Sequence, residues 1–244
     1  MHPSWLSAFL DLAPDELERG LAHWAAVTGY GVSTTRGDDG EFATLLPADG
    51  DDHLRVQRLG EGPSRIHLDL HVAEVGPAVE RAVAEGATLV RPGEYAVLRS
   101  PGGLPFCFVT HRAVVRPAPV DWGGHTSAVD QVCLDVPPRL HDAELAFWAA
   151  VTGWPVQSSG SEFHRLTRPP QLPLQVLVQR LDDDQEQVTA HLDLATTDRA
   201  AETARHAALG AEVAGVFEEW TVLRPPVGPA YCITDRVPDV PPPA

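Results

Sequence analysis

The hydrophobic pattern divides the chain into short elements of two kinds. Ala8 to Leu12 reads as a strand, and Pro14-Asp15 opens a helix with Leu21, Trp24, Ala25 and Thr28 on one face. Gly29 closes that helix. Thr44–Leu46 and Leu54–Leu59 read as strands, with a Gly/Asp turn before them. Ile66–Val72 is a further strand, followed by a helix with Val75, Val79, Ala82 and Val83 at helical spacing, stopped at Gly86. Tyr95–Arg99 and Pro105–Thr110 read as strands flanking the turn Pro101-Gly102-Gly103. Strand, helix and three strands are thus expected twice in this stretch.

The same pattern returns downstream. His23-Trp24-Ala25-Ala26-Val27-Thr28-Gly29-Tyr30 recurs as Phe147-Trp148-Ala149-Ala150-Val151-Thr152-Gly153-Trp154, six of eight positions identical at an offset of 124. His67-Leu68-Asp69-Leu70 recurs as His191-Leu192-Asp193-Leu194, and Gly86-Ala87 as Gly210-Ala211, at the same offset. Val56–Leu59 and Val97–Arg99 recur as Val178–Leu181 and Val222–Arg224, displaced slightly as loop insertions would do. The expectation is an internal duplication: one domain near 5–112, a Pro/Gly-containing linker over 113–127 and a second domain near 128–236, packed as a pseudo-dimer within one chain, with further homodimerisation left open. Trp24 and Trp148, beside Ala-Ala on the packing face, are expected core anchors.

Charge narrows the partners. With 18 Lys and Arg against 34 Asp and Glu the net is −16, which repels phosphate backbones and anionic lipid, so neither nucleic acid nor a membrane is an expected partner. Met1 to Trp5 lacks the basic start of a signal peptide, and three scattered cysteines build no disulfide framework, so a reduced cytoplasmic setting is the expectation. No phosphate-cradling glycine loop, nucleophile elbow or Cys-x-x-Cys pair is present.

Paired strand-helix-strand-strand-strand units, the Phe/His-Trp…Gly helix end, His-Leu-Asp-Leu and the closing Pro-x-Gly-x-x-Phe/Tyr-Cys resemble the glyoxalase/bleomycin-resistance, or vicinal oxygen chelate, superfamily, over about Trp5 to Asp235. The resemblance implies an α+β fold of paired βαβββ units forming cupped mixed sheets with helices outside, each cup able to hold a ligand and often a divalent metal. Its metal-ligand positions fall on Ser7, Gln57, His67 and Cys107 in the first half, and on Gln131, Gln179, His191 and Cys232 in the second. The glutamates of typical metal-binding members are missing, and carboxamides are weak donors. A cofactor is therefore not favoured: the chain is expected to carry less than one tightly bound divalent ion, with zinc on the second-half set as the exception.

Strand alternation sends Leu68 and Leu70 toward the helices and His67 and Asp69 into the cup. By the same parity His191 joins Asp193, and Gln131, Cys133 and Asp135 form a polar floor, richer than the first half with its Ser7 and Phe9. Each His-x-Asp pair invites acid–base chemistry; the plainer alternative is histidines hydrogen-bonded within the floor and cysteines acting as small hydrophobes. Arg99 and Arg224, present in both copies, suit a ligand carboxylate, although a surface ion pair is the plainer expectation. The favoured reading is a small-molecule enzyme of lyase, isomerase or ring-opening type centred on His191, with His67 beside it; the alternative is a non-catalytic protein that sequesters an antibiotic or toxin. The working site is expected in the second half.

Overall fold

The computed structural model describes residues 2–240; Met1 lies outside them. The first half runs β1 (Trp5–Leu12), α1 (Leu17–Thr28), β2 (Gly31–Val32), β3 (Phe42–Leu46), β4 (Leu54–Arg58), β5 (Arg65–His71), α2 (Val75–Ala84), β6 (Thr88–Arg91), β7 (Ala96–Arg99) and β8 (Pro105–Val109). These strands form one sheet in the order β2-β3-β4-β1-β5-β8-β7-β6.

After β9 (Val120–Asp121) the second half repeats the series. It comprises β10 (Thr126–Val136), α3 (His141–Thr152), β11 (Val156–Ser159), β12 (Phe163–Leu166), β13 (Gln175–Arg180) and β14 (Thr189–Thr196). The series ends with α4 (Arg199–Ala208), β15 (Glu212–Val216), β16 (Trp220–Arg224) and β17 (Tyr231–Thr234). The second sheet has the matching order β11-β12-β13-β10-β14-β17-β16-β15, with β9 added beside β10. In each sheet the two central strands are antiparallel and flanked by parallel neighbours, β1 with β4 and β5 with β8 in the first. Two mixed, duplicated α+β sheets are what the pattern predicts.

The repeated glycines have a backbone reason. Gly29 and Gly153 end α1 and α3 in the left-handed conformation, with φ of 69° and 67°. The preceding threonines turn back on the helix: Thr28 donates to Trp24 O at 2.7 Å and Thr152 to Trp148 O at 2.6 Å.

One continuous apolar core joins the halves. Trp24 of α1 packs against Tyr231 of β17, and Phe147 and Trp148 of α3 pack against Phe106 of β8. Each leading helix therefore meets the back of the opposite sheet. Trp24 and Trp148 are fully buried. The β7–β8 turn also locks into the second half: Val188 N donates to Gly102 O at 2.8 Å, and Gly102 N donates to the buried carboxylate of Glu144. A Cβ on Gly102 would collide with Val188 and Glu144, so glycine is needed for this approach.

Two local expectations change. Val83 is 45% exposed; α2 buries Ala78 and Ala82 and packs Val75 and Val79 against the core, so Val83 lies off the packing face. The connecting segment is tied down, with Asp51 accepting from Val114 N and Val115 N at 2.7 and 2.8 Å, and β10 already begins at Thr126. No helix among the described residues is long and apolar enough to cross a membrane.

Candidate functional site

The floor of each cup comes from its central strands. In the second half Cys133 pairs with His191 and Gln131 with Asp193 across β10 and β14, while Asp193 pairs with Cys232 across β14 and β17. His191 sits between two carboxylates: Nδ1 is 2.9 Å from Asp135 Oδ2, and Nε2 is 3.3 Å from Asp193 Oδ1. The Gln131 amide donates to Asp193, and its carbonyl accepts from Gln175 at 2.6 Å. Gln179 donates to Glu162 at 2.9 Å.

The first half repeats this arrangement. His67 Nδ1 lies 2.7 Å from Asp11 Oδ1 and Nε2 lies 3.6 Å from Asp69 Oδ1. Asp11 is absent from the sequence-derived set; its signal is the 124-residue offset from Asp135 and the strand parity it shares with Phe9 and Ser7. Ser7 makes a 2.9 Å hydrogen bond with His71 Nε2.

The two cups differ in what fills them. Strand register matches Phe9 with Cys133, Arg55 with Leu177 and His71 with Ala195. Phe9 lies flat on His67 with ring centroids 4.4 Å apart, and Arg55 lies 5.9 Å from the Phe9 ring centroid. Cys133 and Leu177, the smaller and uncharged counterparts of Phe9 and Arg55, line a cavity of about 1170 Å³. Gln131, Cys133, Asp135, Gln179, His191, Asp193 and Cys232 all line it. Ser7, Gln57, His67, Asp69 and Cys107 belong to the first cup and do not. Arg99 reaches the second cavity from the first half, whereas Arg224 does not line it. Among the described residues neither arginine is in an ion pair: Arg99 donates to Gly103 O at 3.1 Å, in place of the surface pair expected. Sequence reasoning also missed Phe163, Arg165 and Trp220 on the cavity wall, whose only signal is the alternation of β12 and β16.

Burial disfavours the His191 imidazolium, while the Cys133 sulfur and the Asp135 and Asp193 carboxylates favour it; the balance lies well above the ordinary imidazole value. Burial pushes the Cys133 thiol up to about 12, so the sulfur is neutral at pH 7 and the carboxylates hold the proton. At His67 burial is likewise outweighed, by Asp11 first and then Asp69 and Cys107. Asp193 is held below its usual value: burial opposes this, and the His191 charge, Arg236 and the Gln131 hydrogen bond prevail.

Donor chemistry also suits a divalent cation. Cys133, His191 and Asp193 bring ligand atoms within 4.8 Å of one another, as do His67, Asp69 and Cys107. Asp193 Oδ1 and Asp69 Oδ1 are buried without a hydrogen-bond partner, and each histidine has Nδ1 held by a carboxylate and Nε2 turned to that bare oxygen. This differs from the set implied by the resemblance. The Gln131 and Gln179 side chains are already hydrogen-bonded, and Asp193 supplies the carboxylate that seemed missing.

Two back-to-back βαβββ-paired sheets with an open polar cup define a protein of the glyoxalase/dioxygenase fold. The chain belongs to the glyoxalase-like domain family, which matches residues 7–109 and 131–234. A comparison with curated proteins finds no match. Among solved structures it is similar to a mutant 4-hydroxymandelate synthase from Streptomyces coelicolor, at 13% identity and TM-score 0.63 over 99% of this chain and 95% of that one. It is also similar to a Mn(II)-bound glyoxalase from Novosphingobium aromaticivorans, at 15% identity and TM-score 0.62 over 98% and 83%. An extradiol ring-cleaving dioxygenase from B. fuscum matches at 12% identity and TM-score 0.63 over 99% and 75%. At these identities the likeness is one of fold.

Proposed function

We propose that the second cup is the active site of an enzyme that moves a proton on a small polar organic molecule, in an isomerase- or lyase-type reaction. The observation that carries this reading is His191 held between Asp135 and Asp193 at the base of the cavity. Asp135 is 20% exposed in its side chain and Asp193 4%, so Asp135 is the carboxylate a ligand can meet. Asp135 takes the proton from one atom of the ligand and returns it to another, while the His191 Nδ1–H donates to the Asp135 carboxylate and orients it. Asp193, fixed by Gln131, remains an anion and keeps the imidazole ring oriented. Cys133, His191 and Asp193 would hold a divalent ion of the zinc class, which when bound supplies Lewis-acid polarisation of a ligand oxygen. The acid–base role assigned to Asp135 stands on its position alone.

The test is proton exchange. The full-length protein is incubated in D2O with a panel of small oxo- and hydroxy-acids and followed by NMR. Deuterium entering a carbon beside a carbonyl, lost in Asp135→Asn and His191→Ala, supports the enzyme. Saturable binding without exchange or turnover overturns it in favour of a sequestering protein.

A further inference from the structure

We infer that Arg116 and Arg168 form an anion site away from both cups, occupied by Asp239 of the C-terminal tail, and that a hydrogen phosphate ion takes the place of that carboxylate when it withdraws. The site is independent of the reaction proposed for the second cup.

Burial at this point exceeds the counter-charge. Arg116 comes from the connecting segment and Arg168 from the loop between β12 and β13, and their side chains are 5% and 6% exposed. Among the described residues the one carboxylate paired with either is Asp239, whose Oδ2 lies 3.8 Å from Arg116 Nη1 and 3.3 Å from Arg168 Nη2. Buried guanidinium groups are ordinarily matched by close bidentate carboxylates. Arg236 has such a match nearby, bound to both oxygens of Asp130 at 2.8 and 2.7 Å. Arg116 and Arg168 instead share a single, more distant oxygen. Burial first, and then the Arg168 charge, hold Arg116 below the ordinary arginine value. The other carboxylates at hand are committed: Asp130 to Arg236, and exposed Asp49 to Ala118 N at 3.2 Å.

The arginines are fixed, whereas the carboxylate is loosely held. Arg116 Nη1 donates to Pro170 O and Arg168 Nε to Pro173 O, both at 3.4 Å. The tail is held by Arg116 Nη2 donating to Asp239 O at 3.1 Å, and the Asp239 side chain is 65% exposed. Val237 and Val240 are exposed as well, so Pro238 is the one buried residue among 237–240. Little apolar area opposes withdrawal of this short segment.

The lining selects the replacement. Tyr30, His53, Arg116 and Asp239 border a cavity of about 10 Å³, which holds no more than a water beside the docked tail. An incoming anion must therefore displace the Asp239 carboxylate. His53 Nε2 donates to Val129 O at 3.1 Å, so Nδ1 carries the lone pair, and Nδ1 is buried with no hydrogen-bond partner. A carboxylate gives that nitrogen nothing. The P–OH of hydrogen phosphate can donate to it while the other oxygens accept from the two guanidinium groups. The net charge of −16 opposes a polyanion, which leaves the small ion.

Inorganic phosphate is titrated into the whole protein and into Asp239→Asn, with chloride at matched ionic strength as the control. Asp239→Asn is expected to melt lower than the wild type in chloride, its arginines having lost their counter-charge, and to regain that loss in phosphate. Sulfate, with no proton for His53, should restore less. By calorimetry the variant should bind phosphate at least about tenfold more tightly than the wild type, and adding Arg168→Gln should remove the gain. In the wild type, millimolar phosphate should move the Asp239 and Val240 amide signals in NMR toward those of free chain, an outcome that does not depend on how well the variant folds. A melting temperature that phosphate does not restore, sulfate equal to phosphate, equal affinity of the two proteins, or tail signals indifferent to phosphate would overturn the inference.

Discussion

Phe9 lies flat against His67 at 4.4 Å and 15°, whereas the corresponding Cys133 leaves the face of His191 open to the cavity. One aromatic ring, supported by Arg55, separates a closed copy of the centre from an open one. Restoring the ring in the second half should close it. Cys133→Phe is expected to abolish proton exchange with little loss of stability, because the new side chain enters existing space. The exchange assay beside a thermal melt checks this; undiminished exchange would mean that the cavity floor does not hold the ligand.

The two histidines should differ in what their loss costs. His67→Ala leaves Asp11 and Asp69 buried without the imidazole between them, so a destabilisation of about 3 kcal/mol is expected, with proton exchange retained. His191→Ala, where Asp135 is partly exposed, should cost less stability and eliminate exchange. Urea unfolding and the exchange assay together decide; loss of function in a well-folded His67→Ala protein would shift the site to the first half.

Acid should loosen the joint between the halves. His23, beside Tyr231, and His53, bonded to Val129 O at 3.1 Å, are both brought by burial from the ordinary 6.5 down to about 4. The unfolded chain then binds protons between pH 6.5 and 4 that the folded chain refuses. Their contribution is complete above pH 6.5 and is lost as pH falls toward 4, at up to about 1.4 kcal/mol per pH unit for each histidine. His67 and His191, raised in the folded state, contribute most below 6.5 and do not vary across that window. Unfolding curves from pH 7 to 4.5 test the slope, which His53→Gln should flatten.

Arg205 straps α4 to the first half. It donates to Ala26 O at 2.9 Å and Val27 O at 2.6 Å at the end of α1, pairs with buried Glu202 at 2.8 Å, and stacks 3.6 Å from the Trp122 ring centroid. Arg205→Ala should destabilise by roughly 3 kcal/mol, and Arg205→Lys should recover little, since an ammonium cannot serve carbonyls, carboxylate and ring face together. Chemical denaturation measures both.

The donor set predicts a response to zinc. Chelator-treated protein titrated with zinc should melt several degrees higher, as binding to the folded state alone requires. The rise should shrink sharply in Asp193→Asn and in Cys133→Ser. A melt indifferent to zinc would mean that the Asp–His–Asp array holds only a proton.

The duplication, the strand and helix order, the helix-ending glycines and the direction of His67, Asp69, His191 and Asp193 were all legible in the chain. Each depends on backbone conformation and on neighbours a few residues away, and these leave periodic marks in the sequence. The wealth of polar residues on the second floor was legible for the same reason. The role of Asp11, the filling of the first cup by Phe9, Arg55 and His71, and the arrival of Arg99 at the second cavity were decided only in three dimensions. Those contacts depend on register between strands distant in sequence and on the seating of one half against the other. Such seating is chosen by burial of the shared core between the sheets, a property of the whole chain that no local spacing encodes.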